Sequence, residues 1–171
     1  MAWSAGTVQK MIIYVNKNRS VITYEVDDET KQISCSCWVR NELNGERKPT
    51  ELVKSIPSGE YYYPRVFPVG RWTVTGRPIH RNAETDPYTA PFFIPTDAGQ
   101  DVDIWNVKNG AYDSNTYHTV WDTGYGLHFS TSPTTLGCIR LTLESDLLAL
   151  VAVINKCFDA GEDVFVEVST T

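Results

Sequence analysis

Only one stretch of this chain reads as a helix, and it lies close to the C-terminus. Leu143, Leu147, Leu148, Val151, Ile154 and Phe158 recur at helical spacing. Thr142 is placed to cap that helix at its start, and Gly161 is placed to stop it. Val164 to Val168 then alternates, as a final strand would.

Everything before the helix reads as short β-strands broken by turns. Met11 to Val15 and Val21 to Val26 are β-rich, with Asn16 to Arg19 as the turn between them. Ile33 to Val39 alternates like a half-buried strand. Asn41 to Pro49 is polar and contains Gly45, so it is read as a loop. Between Ile56 and Gly76, two Pro-x-Gly turns each lead into an aromatic strand. Arg77 to Thr89 reads as a long loop. Ile104 to Val107, Tyr117 to Trp121 and Leu127 to Phe129 read as short strands. The fold class expected is therefore mainly β, in a single domain over residues 1–171 with one helix near the C-terminus.

Composition removes several functions. The formal net charge is -6 with no basic stripe, which disfavours nucleic acid as a partner. No apolar run is long enough for a transmembrane helix. The first residues lack a basic segment followed by an apolar run, so no cleavable signal peptide is expected. The cysteines are Cys35, Cys37, Cys138 and Cys157, without Cys-x-x-Cys or zinc-ligand spacing. Cys35 and Cys37 share one face of a strand, where a disulfide has poor geometry, and are read as packing residues.

The chemistry is concentrated in residues 125–141. His128 ends a short apolar strand, and Thr135-Leu136-Gly137-Cys138-Ile139-Arg140 precedes the helix. A nucleophilic thiol needs a base, an orienter for that base and donors for a developing oxyanion. His128 is the candidate base and Thr135 the candidate orienter. Backbone N–H groups around Gly137 and Cys138 are the candidate oxyanion donors, and the nearby helix start would favour a thiolate. Arg140 either holds the loop through carbonyls or binds a substrate carboxylate. His118 is the alternative base, and His80 is read as a surface or packing residue. Tyr61 to Tyr63, Trp72, Trp105 and Trp121 are read as core or sheet-face aromatics rather than a groove for sugar and peptide. Every His lies upstream of Cys138, which is not the papain-like order.

This segment resembles the signature of the L,D-transpeptidase catalytic domain, the YkuD-like family. In that family a strand-ending His is followed by a variable loop and then Ser/Thr-His-Gly-Cys, an apolar residue, and Arg or Asn. Thr135, Gly137, Cys138, Ile139 and Arg140 match in register, whereas Leu136 stands in place of the motif's His and Phe129 in place of the Gly after the base. Ile56-Pro57-Ser58-Gly59-Glu60-Tyr61, or Phe67 to Trp72, resembles the family's upstream Pro-x-Gly-x-aromatic segment.

The resemblance implies an L,D-transpeptidase-like β-sandwich acting on peptidoglycan stem tetrapeptides through a thioacyl-enzyme. The reaction would be transpeptidation, D-amino-acid exchange or L,D-carboxypeptidase cleavage, in the periplasm or cell wall, with no metal or organic cofactor required. The ten-residue step from His128 to Cys138 is similar to the type VI secretion toxin branch. A member of that branch would have a delivery or immunity protein as partner. Two other readings stay open: a cysteine amidase or endopeptidase on another cell-wall bond, and a catalytically silent wall-binding or virion module.

Overall fold

The structure is a computed structural model that describes residues 10–37, 53–54, 61–62, 66–105, 107–108, 111–112, 114–116, 118–131 and 137–171. The first strands are β1 (Lys10–Asn16), β2 (Val21–Val26), β3 (Glu29–Ser36), β4 (Val53–Lys54) and β5 (Tyr61–Tyr62). Next come β6 (Gly70–Thr73), β7 (Ile79–His80), β8 (Phe92–Pro95), β9 (Gln100–Trp105), β10 (Val107–Lys108) and β11 (Ala111–Tyr112). After a 3-10 turn at Ser114–Thr116 follow β12 (His118–Asp122), β13 (Gly126–Phe129), β14 (Ile139–Leu141), helix α1 (Glu144–Asp159) and β15 (Asp163–Ser169). Nine strands form the main sheet in the order β6-β15-β1-β2-β3-β14-β13-β8-β7. A smaller sheet has the order β12-β9-β5-β4, and β10 pairs with β11.

The expectation of a mainly β chain with one late helix holds. In β1, Met11, Ile13 and Val15 point inward, and in β15, Val164, Val166 and Val168 do the same. The parallel register sets these rows directly opposite one another, Met11 to Val164, Ile13 to Val166 and Val15 to Val168. Period-two alternation in two distant segments thus becomes one apolar surface. The β2–β3 turn uses Asp27 and Asp28, both with positive φ, as a two-residue type I′ hairpin requires.

The main sheet curls until the continuation of β6, at one end, reaches that of β8, next to the other. Val74, just past β6, bridges to Thr96, just past β8. Thr75 N–H donates to the Pro95 carbonyl at 3.2 Å, and Asp97 N–H to the Thr73 carbonyl at 3.0 Å. Helix α1 fills the inside of the curl, touching β15, β8, β13 and β14. Its buried residues are Leu147, Leu150, Val151, Ile154 and Cys157. Gly161, with φ of 69°, ends the helix as expected. Its N–H reaches the Phe158 carbonyl and Glu162 N–H reaches Cys157, the paired bonds of a Schellman motif.

Several expectations change. The helix is capped by Leu143 without a side-chain bond, not by Thr142. Thr142 N–H donates to the Ser34 carbonyl at 3.1 Å, so it still belongs to the sheet. Leu143 and Leu148 are exposed, because the buried face is centred on Leu150 and Leu147 instead. The loop read over Arg77 to Thr89 contains β7, and β8 and β14 were not anticipated. The first Pro-x-Gly segment, the loop of 41–49 and the side chains of Tyr61 to Tyr63 and Trp105 lie outside the described residues. The second Pro-x-Gly turn does lead into β6, where Trp72 Nε1 donates to the Pro68 carbonyl at 2.9 Å.

Candidate active site

The candidate site is built from strand register. β13 and β14 are parallel, with Leu127 opposite Ile139, His128 opposite Arg140 and Phe129 opposite Leu141. Leu127, Ile139 and Leu141 are buried in the core. His128 and Arg140 must then occupy the outer face, since neighbours along a strand alternate. Across the adjoining pairs, Arg140 lies opposite Ser36 and His128 opposite Phe93. The outer face therefore carries a row Ser36, Arg140, His128, Phe93 over four strands.

Cys138 immediately precedes β14. The register continued one step beyond the Leu127–Ile139 pair would set it beside Gly126, two positions from His128. That geometry corresponds to ~8 Å between the Cα atoms of Cys138 and His128, from a strand spacing of about 4.8 Å and a rise of about 3.3 Å per residue. The Cys138 thiol donates weakly to the Gly124 carbonyl at 3.9 Å. Gly137, buried with φ of 119°, turns the chain into β14 through a conformation that favours glycine.

His128 is only 5% exposed. Its Nδ1 lies 3.0 Å from the Phe129 carbonyl. A carbonyl can only accept, so Nδ1 carries the proton and Nε2 holds the lone pair. Burial pushes the imidazole pKa below its ordinary value; the bond to Phe129 offsets part of this, and the Arg140 charge adds to the lowering. The ring is thus kept neutral, as a base must be.

Arg140 Nη1 donates to the Ser130 carbonyl at 2.6 Å, tying β14 to the residue after β13. This is the loop-holding role read from sequence. Its Nε is buried without an acceptor among the described residues. A donor left in that state costs about 1–3 kcal/mol.

The segment entering β13 is fixed by a buried tyrosine. Tyr125 is 1% exposed and its hydroxyl donates to the Asp122 carboxylate. Gln100 Nε2 donates to that hydroxyl at 2.8 Å and to the Val66 carbonyl at 2.7 Å. The Phe67 ring meets the Tyr125 ring in a T arrangement at 5.8 Å. Gly126 is covered by its neighbour, since an added Cβ would meet Ile94 O and Phe93 Cζ, each at 2.4 Å. Tyr125, Gly126 and Phe93 were not singled out from sequence. The two glycines bracketing Tyr125 were the available signal.

His118 does not join the row. It is exposed at the start of β12, in the smaller sheet, with Nδ1 2.9 Å from the Thr116 carbonyl. His80 is exposed and meets the Phe92 ring at 5.3 Å. Thr135 and Leu136 lie outside the described residues. Helix α1 does not begin at the thiol: β14 intervenes, and the helix starts at Glu144. Cys35 and Cys37 are buried thiols on the core side, as read, and no cysteine forms a disulfide. Among the described residues, no group of three His, Cys, Asp or Glu side chains is placed to hold a metal ion. No helix among them is long and apolar enough to cross a membrane.

No protein-family model matches the chain, and no curated protein matches it either. Among solved structures, the chain is similar to the crystal structure of an L,D-transpeptidase from Xylanimonas cellulosilytica DSM 15894, at 14% identity and a TM-score of 0.44. That match covers 99% of this chain, which spans 65% of the length of the matched structure.

Proposed function

We propose that the chain is a cysteine acyltransferase acting on peptidoglycan stem tetrapeptides, with Cys138 as nucleophile and His128 as base. The observation that supports this reading is the register of β13 and β14, which sets His128 opposite Arg140, two residues past Cys138 in the chain. The buried, neutral imidazole adds the required protonation state. The resemblance of residues 125–141 to the L,D-transpeptidase signature supplies the substrate class.

In the proposed reaction, His128 Nε2 takes the thiol proton. The thiolate attacks the carbonyl of the third stem residue. The C–N bond to the terminal D-alanine breaks, and its amine leaves with the proton from the imidazolium. The thioester then passes its acyl group to an amine or to water. Backbone N–H groups at Gly137 and Cys138 are the proposed oxyanion donors, each worth about 3 kcal/mol in the transition state. Thr135 remains the proposed orienter. Action in the periplasm or cell wall is part of the proposal. Delivery as a toxin, with an immunity partner, rests on the ten-residue interval alone.

The test is release of D-alanine from purified tetrapeptide muropeptides, followed by mass spectrometry. Wild type should release it, and Cys138→Ala should lose at least a thousandfold in rate while staying folded, on the order of the loss expected for a missing nucleophile. Products cut at another bond would favour an amidase or endopeptidase. A thiol that reacts with no electrophilic probe and turns over no muropeptide would favour a silent wall-binding module.

A further inference from the structure

The outer-face row continues beyond Phe93 to an arginine that the proposed chemistry does not use. β7 pairs with β8, Ile79 opposite Phe93 and His80 opposite Phe92. The pairing runs one step further, because Arg81 N–H donates to the Pro91 carbonyl at 2.8 Å. Arg81 therefore has the parity of Ile79 and Phe93, and lies on the same face as His128 and Arg140. Its guanidinium carbon sits 5.8 Å from the centre of the Phe93 ring. The far tip of that ring covers Gly126, two residues before His128 in β13.

Arg81 shares a second property with Arg140. In both, Nε is buried and has no acceptor among the described residues. Two other arginines, Arg71 in β6 and Arg77 in the β6–β7 connection, behave differently. Arg71 is paired with Glu167 at 3.4 Å, and Arg77 with Asp159 at 2.7 Å. The chain has 21 acidic residues against 15 basic ones, so carboxylate partners are not scarce. Yet no ion pair among the described residues involves either arginine of the His128 face. A guanidinium is a planar fork made for bidentate carboxylate. Two such forks with no carboxylate partner among the described residues, flanking a candidate base, are suited to a ligand that brings its own.

We propose that Arg81 and Arg140 are two carboxylate-binding residues on either side of His128, reading two carboxylates of one peptide substrate. Arg140 lies two residues past Cys138 in the chain, and takes the carboxylate next to the scissile bond. The backbone of Arg81 is three strands across and two residues along from that of Arg140, or ~16 Å. Its guanidinium, on the Phe93 ring, takes a carboxylate further up the stem, that of the D-isoglutamyl residue. The stem-peptide identity rests on the function proposed above; the pair of carboxylate sites does not.

The test compares a tetrapeptide carrying free D-isoglutamate with the same peptide amidated at that position. Wild type should show about tenfold lower KM for the free acid, the scale of one charge-assisted hydrogen bond. Arg81→Gln and Arg81→Lys should both remove that preference with kcat little changed, whereas Arg71→Gln should retain it. Titration of Cys138→Ala protein with both peptides reads the same preference as Kd without turnover. If wild type turns over neither peptide but Cys138→Ala binds the acid selectively through Arg81, the enzymatic reading fails and the carboxylate site stands. If wild type processes both peptides equally, or Arg81→Gln keeps the preference, the Arg81 assignment is overturned and the enzymatic reading survives.

Discussion

The main sheet contains two parallel strand pairs, and they are built on different terms. β1 and β15 pair along seven residues, with three matched apolar rows on the core side. β13 and β14 pair along three residues. Their inner face is equally apolar, but their outer face carries His128 and Arg140. Parallel strands ordinarily need a crossover of a dozen or more residues, commonly a helix. β1 and β15 enclose almost the whole fold between them, including α1. β13 and β14 are joined by residues 130–138 alone. One pair is devoted to burial, and the other carries His128 and Arg140 on its outer face, with Cys138 at the entrance to β14. Stability and candidate chemistry are thereby separated within one sheet.

That separation can be tested from both sides. Ile13→Ala, at a fully buried position opposite Val166, should cost about 4 kcal/mol in urea unfolding. At a temperature where the variant stays folded, its rate on muropeptides should match wild type. A large loss of rate in the folded variant would show that the two pairs are coupled. Gly126→Ala should cost about 3 kcal/mol, because the new Cβ meets the Ile94 backbone as well as the Phe93 ring. Here activity should fall even in the folded fraction, since the obstruction displaces the strand that carries His128 and the Phe93 ring opposite it. Retained activity per folded molecule would place Gly126 with the merely structural residues.

His128→Gln addresses protonation. The folded imidazole has a pKa below 6.5, whereas the unfolded one has the ordinary value. Between the two, the unfolded chain binds more protons, so stability rises with pH in that window and falls as pH drops through it. Urea unfolding measured from pH 7.5 downward should show wild type losing more stability than His128→Gln once pH passes below 6.5. Parallel curves would mean that burial does not perturb the imidazole. The smallest effect belongs to His118→Ala, on the other sheet. An exposed side chain there should change stability by less than about 0.5 kcal/mol and leave D-alanine release unchanged. A dead His118→Ala beside an active His128→Gln would reverse the choice of base.

The elements that could be read from sequence are those whose pattern is local. Val164 to Val168 alternates over enough residues to show its period, and Gly161 marks its own stop. β7, β8 and β14 are two, four and three residues long. Nothing in Ile79-His80 or Phe92-Phe93-Ile94-Pro95 distinguishes strand from loop until a partner is beside it. The helix start itself is read within one residue, at Thr142 against the Leu143 cap. The same limit shaped the site. Cys138 and His128 stand in a recognisable motif. Arg81, Phe93 and Gly126 come together only through the register of β7, β8 and β13, which couples residues far apart in the chain.

The bridge between Val74 and Thr96 has a further consequence, for what the molecule does in a crowded solution. An open sheet of nine strands would offer two rows of unsatisfied backbone groups as templates for another chain. The bridge uses the continuation of β6 against that of β8. Among the described residues, β7 is the terminal strand at the other end, and it is two residues long. The curl that encloses α1 therefore also leaves little for edge-to-edge polymerisation to start from.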